Sequence, residues 1–181
     1  MRKIILTGSA PYLPDWWNEN KDRLSEFEVH SINTSILITK DICKKWYCSA
    51  DYFYFHPELN ENIVAKDVYV NTWYKYPWTI KYNRENTSGT MFFNVLEYLY
   101  NENVELKDLI EINVIGCDLV YKEGKNNHFY KGGTPDPMRL GLSLLKENVE
   151  FFKQEYKKMS ISLYNLSTQS ESLLTFERRM L

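Results

Sequence analysis

Apolar positions along the chain fall into short runs of about five residues, separated by stretches with a three-to-four-residue period. Residues 3–7 form a β-rich run that stops at Gly8, and the turn Gly8-Ser9-Ala10-Pro11 follows. A short apolar run bounded by turn residues is the mark of a buried strand. Asp15 is placed to cap a helix running to about residue 25. Residues 27–32 read as a second strand ending at Asn33, and residues 36–46 as a helix with Ile36, Ile42 and Trp46 turned inward. Residues 50–55 read as a third strand, closed by His56-Pro57, since proline cannot continue a central ladder. Residues 68–73 make a fourth strand candidate, and residues 74–86 carry no clear period.

Thr87-Ser88-Gly89-Thr90 opens a helix to about residue 101, with Phe92, Val95, Leu96 and Leu99 on one face. Residues 110–115 form a central strand that breaks at Gly116. The longest helical pattern covers residues 136–156, where Met138, Leu142, Leu145, Val149, Phe152 and Tyr156 step by four and three. A last short strand at 161–164 precedes a polar tail, residues 167–181. Strands alternate with helices, which predicts an α/β fold: a doubly wound, mostly parallel sheet flanked by helices, Rossmann-like. No repeat or linker divides the chain, so residues 1–181 are read as one domain.

Composition narrows the function classes. The hydrophobic share of 44% and charged share of 25% belong to a soluble globular protein. A net charge of -2 gives no overall pull on phosphate backbones, so nucleic acid is not the expected partner. The 14 Tyr and 5 Trp suit half-buried walls and sugar or base platforms, although most of them serve a core. Cys43, Cys48 and Cys117 are odd in number and have no CxxC spacing, so neither a zinc site nor a disulfide framework is expected. A reducing, cytoplasmic compartment fits them. The first residues read as a strand rather than a signal peptide, and no segment reaches the roughly 20 apolar residues of a membrane span.

Candidate chemistry gathers at the predicted strand ends. The turn at Gly8 and Ser9 would let backbone N–H groups approach a phosphate or ribose, although the dinucleotide fingerprint GxGxxG is not present. Asn33 and His56 end parallel strands and point to the same edge. Each also has a plain structural role available, as a turn residue or a half-buried ring. Ser88, Gly89 and Thr90 sit at a helix start, where free N–H groups attract anions, or where a hydroxyl simply caps. Gly116 and Asp118 end the central strand, and Asp118 suits a metal, a sugar hydroxyl or the ordering of its own loop. Cys117 reads as a packed residue rather than a nucleophile. In the loop beyond, His128 is eligible as a general base because its ordinary pKa is near neutrality. Tyr121 and Tyr130 flank it as phenol donors to a leaving phosphate, with Lys131 and Arg139 adding positive charge.

In this order the pieces resemble the small bacterial sialyltransferases of the type known from lipooligosaccharide synthesis, and related proteins with a Gly-x-Gly-Pro-Ser-Leu opening. The resemblance rests on Gly8-Ser9-Ala10-Pro11, Asn33, Tyr54-Phe55-His56-Pro57, Ser88-Gly89-Thr90, Gly116-Cys117-Asp118, His128 and the closing Leu163-Tyr164-Asn165-Leu166-Ser167 with Ser172-Leu173-Leu174. It implies a single nucleotide-binding domain of the GT-A-like sialyltransferase type. The implied reaction is a metal-independent, inverting transfer from a CMP-linked sugar, with no resident cofactor. It further implies that Gly8, Ser9, Asn33, Ser88, Gly89 and Thr90 line the donor site. Tyr121 and Tyr130 would bond the leaving phosphate, and His128 would serve as base. The chain departs from the pattern at the opening, which lacks the second Gly, and at His56, which stands for an Asn. His128 sits a few positions early, and the lid over the donor is reduced or absent. The partners implied are a nucleotide-sugar donor and a hydroxyl acceptor, with a homo-oligomer as a further option. Two other readings are a Mg²⁺-dependent diphosphotransferase acting on a pterin alcohol, with Asp51 and Asp118 on the metal, and a non-catalytic ligand-binding module.

Overall fold

The computed structural model describes residues 1–49, 67–71, 80–81, 90–120 and 141–181. The strands are β1 (Arg2–Thr7), β2 (Glu28–Ile32), β3 (Cys43–Ser49), β4 (Asp67–Asn71), β5 (Ile80–Lys81), β6 (Leu109–Ile115), β7 (Ser162–Asn165) and β8 (Glu177–Arg178). The helices are α1 (Leu13–Asn20), α2 (Ile36–Thr39), α3 (Met91–Leu106) and α4 (Leu142–Lys158). The strands form one sheet in the order β5-β4-β3-β2-β1-β6-β7-β8, six longer strands bracketed by two of two residues. Every neighbouring pair is parallel. Strands step outward from β1 to β5 on one side, and β6 then starts again on the other side of β1. That reversal between β1 and β6 is the topological switch point of an open α/β sheet.

Burial on both faces explains the continuous apolar run of β1. Ile4 and Leu6 join Ile112 and Val114 against Phe93, Leu96 and Leu99 of α3 and Val149, Phe152 and Tyr156 of α4. Ile5 faces the other way, with Val29 and Ile115, against Leu13 and Trp17 of α1. Helices thus cover both faces, and the fold is Rossmann-like α/β as predicted. Each aliphatic side chain fully buried in these layers is worth roughly 1.5–3 kcal/mol. Tyr156 is fully buried, and its hydroxyl donates to the Leu96 carbonyl at 2.5 Å, which ties α4 to α3.

Several boundaries differ from the sequence expectation. Only Ile36–Thr39 of the expected 36–46 helix is helical, and Cys43–Ser49 is a strand between β2 and β4. Within that strand Trp46 and Tyr47 are β-formers. Trp46, fully buried there, donates its indole N–H to the Asn33 carbonyl at 2.7 Å. The strand expected at 50–55 lies outside the described residues. Asp15 does not cap α1: Tyr12 holds the cap position without a side-chain bond, and Asp15 sits in the first turn. There its charge still suits the positive end of the helix dipole. The helix stops at Asn20 and passes into a 3-10 turn, Lys21–Arg23. α3 runs to Leu106, beyond the expected 101, and closes on Lys107 in the left-handed region at φ 54°. The segment read as a polar tail supplies β8, and Leu174 and Phe176 are buried in the core.

A network of charges occupies the amino edge of the sheet. Arg2 meets Glu28 at 3.3 Å, Glu102 at 2.9 Å and Asp108 at 3.4 Å. Lys45 meets Glu102 at 2.5 Å and Lys44 meets Glu28 at 2.5 Å. These partners join the starts of β1 and β2, the near part of β3 and the end of α3, and leave the carboxyl edge to other chemistry.

Candidate functional site at the carboxyl edge of β1 and β6

The ends of β1 and β6 are in contact through two glycines. A Cβ added to Gly8 would lie 2.2 Å from the Gly116 carbonyl oxygen and 2.4 Å from Cys117 Sγ. Gly116 has φ +75°, and a Cβ there would lie 3.0 Å from the Gly8 carbonyl oxygen. The Gly8 amide donates to Ile115 O at 2.8 Å, and the Ala10 amide to Gly116 O at 3.1 Å. The turn after β1 therefore spends two of its N–H groups on the end of β6. This backbone contact requires glycine at position 8. The contact seats the start of α1 beside the segment that leaves β6.

Asp118 is fixed by that arrangement. It is 8% exposed, and its carbonyl accepts from the Leu173 amide at 3.0 Å. The Tyr12 hydroxyl donates to Asp118 Oδ2 at 2.5 Å and lies 2.9 Å from Ser167 Oγ. Burial first, then the neighbouring Asp118 charge, raises the Tyr12 pKa well above its ordinary value, so the phenol keeps its proton. Ser167 is held in turn: its Oγ accepts from the Gln169 amide at 3.1 Å, and its own amide donates to Asn165 Oδ1 at 2.9 Å. Asp118 Oδ1 is buried and has no hydrogen-bond partner among the described residues. The next residue, Leu119, holds φ 57°, a left-handed conformation that costs a non-glycine residue about 1–2 kcal/mol. Cys117 is buried, and burial followed by the Asp118 charge pushes its thiol pKa up. It is a packed neutral thiol, as the sequence reading had it.

The other strand ends meet the same edge. Asn33 follows β2, with φ 50°, and is half-buried. Beneath it, Thr7 Oγ1 lies 3.0 Å from Ser35 Oγ, and the Ser35 hydroxyl accepts from the Ile32 amide at 2.9 Å. Ser31 and Thr39 hydroxyls are 2.5 Å apart. This buried hydroxyl cluster binds the turn after β2 to the end of β1. Thr90 caps α3, its Oγ1 accepting from the Phe93 amide at 3.4 Å. α3 ends beside the start of β6, so its amino end, with Thr90, points to the carboxyl edge.

The structure thus brings Gly8, Ser9, Asn33, Thr90, Gly116 and Asp118 to the carboxyl edge of one sheet. His56, Ser88, Gly89, Tyr121, His128, Tyr130 and Lys131 lie outside the described residues, as do Asp51 and Arg139. Tyr12 and Ser167 were not singled out by the sequence reading. Tyr12 stands one residue beyond the turn after β1, and Ser167 closes the Leu163–Ser167 patch. No periodicity marks either one, because their partner is Asp118, far away along the chain. Among the described residues no group of three or more His, Cys, Asp or Glu side chains is placed to hold a metal ion. A groove of about 380 Å³ between α1 and residues 37–42 contains none of the strand-end residues. No described helix is long and apolar enough to cross a membrane. Comparison with protein-family models, with curated proteins and with solved structures finds no match to this chain.

Proposed function

We propose that the protein is a nucleotide-sugar-dependent glycosyltransferase that binds its donor in the crevice above β1 and β6. The observation that carries the reading is the switch point itself. The Gly8–Gly116 contact brings the two strand ends together there and sets a buried, half-satisfied carboxylate, Asp118, beside them. Open α/β sheets bind their ligands at the carboxyl ends of the strands at such a reversal. The sequence order of strand-end residues supports a CMP-linked donor, carrying sialic acid or a related sugar, on a GT-A-like arrangement. In this reading His128 takes the proton from an acceptor hydroxyl, whose oxygen attacks the anomeric carbon with inversion. The bond to the phosphate breaks, and Tyr121, Tyr130 and Lys131 stabilise the charge on the leaving nucleotide without a metal. Asn33, His56, Ser88, Gly89 and Thr90 line the donor side. The buried thiols Cys43, Cys48 and Cys117 agree with a cytoplasmic setting.

Calorimetry with CMP, UDP and ATP, each with and without Mg²⁺, tests the donor class. Metal-independent binding of CMP is the expected result; ATP binding that requires Mg²⁺ replaces this reading with diphosphoryl transfer. For the chemistry, His128→Ala keeps nucleotide binding and lowers transfer by roughly 10²–10⁴-fold, the usual contribution of a general base. Undiminished turnover in that variant removes His128 from the mechanism. Nucleotide-sugar binding with no transfer or hydrolysis under any condition makes the protein a binding module instead.

A further inference from the structure

Among the described residues Asp118 has one oxygen in use and one without a partner, although both belong to the same buried carboxylate. Oδ2 receives the Tyr12 hydroxyl at 2.5 Å, and that phenol lies 2.9 Å from Ser167 Oγ. Oδ1 is buried and accepts no hydrogen bond from the described residues. A buried acceptor left unsatisfied costs free energy, and a charged one more. The carboxylate is also held in place: the Leu173 amide bonds its backbone carbonyl at 3.0 Å, and the Tyr12 bond fixes its plane. An oriented acceptor with one free oxygen at the switch point is complementary to a hydrogen-bond donor. It is not complementary to a phosphate, which its charge would repel.

We propose that Asp118 is a ligand-binding residue whose Oδ1 accepts a hydroxyl of the bound donor, on the ribose or on the transferred sugar. Tyr12 and Ser167 are positioning residues that hold the carboxylate for it. This rests on the nucleotide-sugar reading and adds the group that recognises the polyol part. It divides the crevice by charge: hydroxyls meet Asp118, and the phosphate is received elsewhere. Charge-assisted hydrogen bonds are roughly twice as strong as neutral ones, so the loss of this carboxylate is measurable in affinity.

The test titrates CMP, 2′-deoxy-CMP, 3′-deoxy-CMP and CMP-sialic acid into the wild type, Asp118→Ala, Asp118→Asn and Tyr12→Phe, with melting curves to confirm folding. If the hydroxyl is on the ribose, the wild type prefers CMP to one deoxy analogue. Asp118→Ala then weakens CMP at least tenfold and binds that analogue equally well. If it is on the sugar, CMP and both analogues are unaffected and only CMP-sialic acid loses affinity. Asp118→Asn, which keeps the shape but not the charge, shows a smaller loss in the same ligand. Tyr12→Phe, which leaves the carboxylate but frees its orientation, does the same and covers the case in which Asp118→Ala does not fold. Unchanged affinities for all four ligands in the folded variants overturn the role of Asp118 while the nucleotide site stands. A wild type that binds none of the four overturns both.

Discussion

Gly8 shows how one residue can carry a signal that the chain cannot explain locally. A glycine after a first strand suggests close approach of something to the backbone, and that much was legible. What approaches is the Gly116 carbonyl, 108 positions along, and only the pairing of β1 with β6 brings it there. The two glycines are not equivalent, which gives a prediction. At Gly8 a methyl would overlap backbone at 2.2 Å, so two strand ends must separate; at Gly116 the nearest atom is 3.0 Å away and the main cost is the φ of +75°. Overpacking against backbone costs about 1–3 kcal/mol or more, and a left-handed non-glycine about 1–2 kcal/mol. Gly8→Ala is therefore expected to lower the urea-unfolding free energy by about 3 kcal/mol, and Gly116→Ala by less. The reverse order would mean that the strand ends give way more easily than the geometry implies. Asp118 was legible as a strand-end carboxylate, but its division into a bonded and an unbonded oxygen was not. That division depends on Tyr12 and Ser167, which arrive from other elements.

At the scale of elements, the strongly periodic segments came through and the short mixed ones did not. In the α4 stripe Leu145, Val149, Phe152 and Tyr156 are buried as their spacing predicts, whereas Leu142, where the helix begins, is 49% exposed and Met138 lies outside the described residues. The 36–46 segment reads as a helix because Ile36, Ile42 and Trp46 permit a helical face. Pairing with β2 and β4 rewards an extended Cys43–Ser49 instead, and tertiary pairing outweighs a weak local preference. Caps were legible by residue type, but not which residue would act. Thr90 bonds the Phe93 amide at the start of α3, whereas Asp15 lies inside the first turn of α1 and makes no cap. Thr90→Ala is expected to cost about 1 kcal/mol of unfolding free energy, the ordinary value of an N-cap, and Asp15→Ala only a few tenths, from the helix dipole. Chemical denaturation of both variants checks this; equal losses would return Asp15 to a capping role.

The whole molecule divides its polar chemistry between the two edges of the sheet. Among the described residues the carboxyl edge keeps a carboxylate oxygen unpaired, while at the amino edge Arg2, Lys44 and Lys45 are paired with Glu28, Glu102 and Asp108. Near that network lies His30. It is fully buried, with Nδ1 3.3 Å from the Tyr47 hydroxyl and Nε2 3.4 Å from Glu28 Oε2. Burial lowers its pKa to about 4, against a partial rise from Glu28, with Lys45 and Arg2 adding to the fall. Glu28 is displaced the same way, far below the usual carboxylate range, by the His30 contact first and then by Lys44 and Arg2. Both groups make stability fall with acid, in different windows. The unfolded chain protonates His30 near pH 6.5 while the native state resists until about pH 4. Between those values the unfolded state binds more protons, so stability is complete above pH 6.5 and declines toward pH 4. The Glu28 contribution is present above the ordinary glutamate range and is lost below it, so it leaves the upper part of this window to His30. At roughly 1.4 kcal/mol for each pH unit, the His30 loss is on the order of 2–3 kcal/mol by pH 4.5. The measurement is the unfolding free energy by denaturant at pH 7, 5.5 and 4.5 for the wild type and His30→Gln. The variant is expected to be less stable at pH 7, where it loses a fitted ring, yet to lose less than the wild type between pH 7 and 4.5. Because the two proteins differ only at position 30, the difference between the two curves belongs to that position. Parallel curves would mean that His30 opens to water before it takes up its proton, and the acid limb would then belong to the carboxylates of the Arg2 network alone.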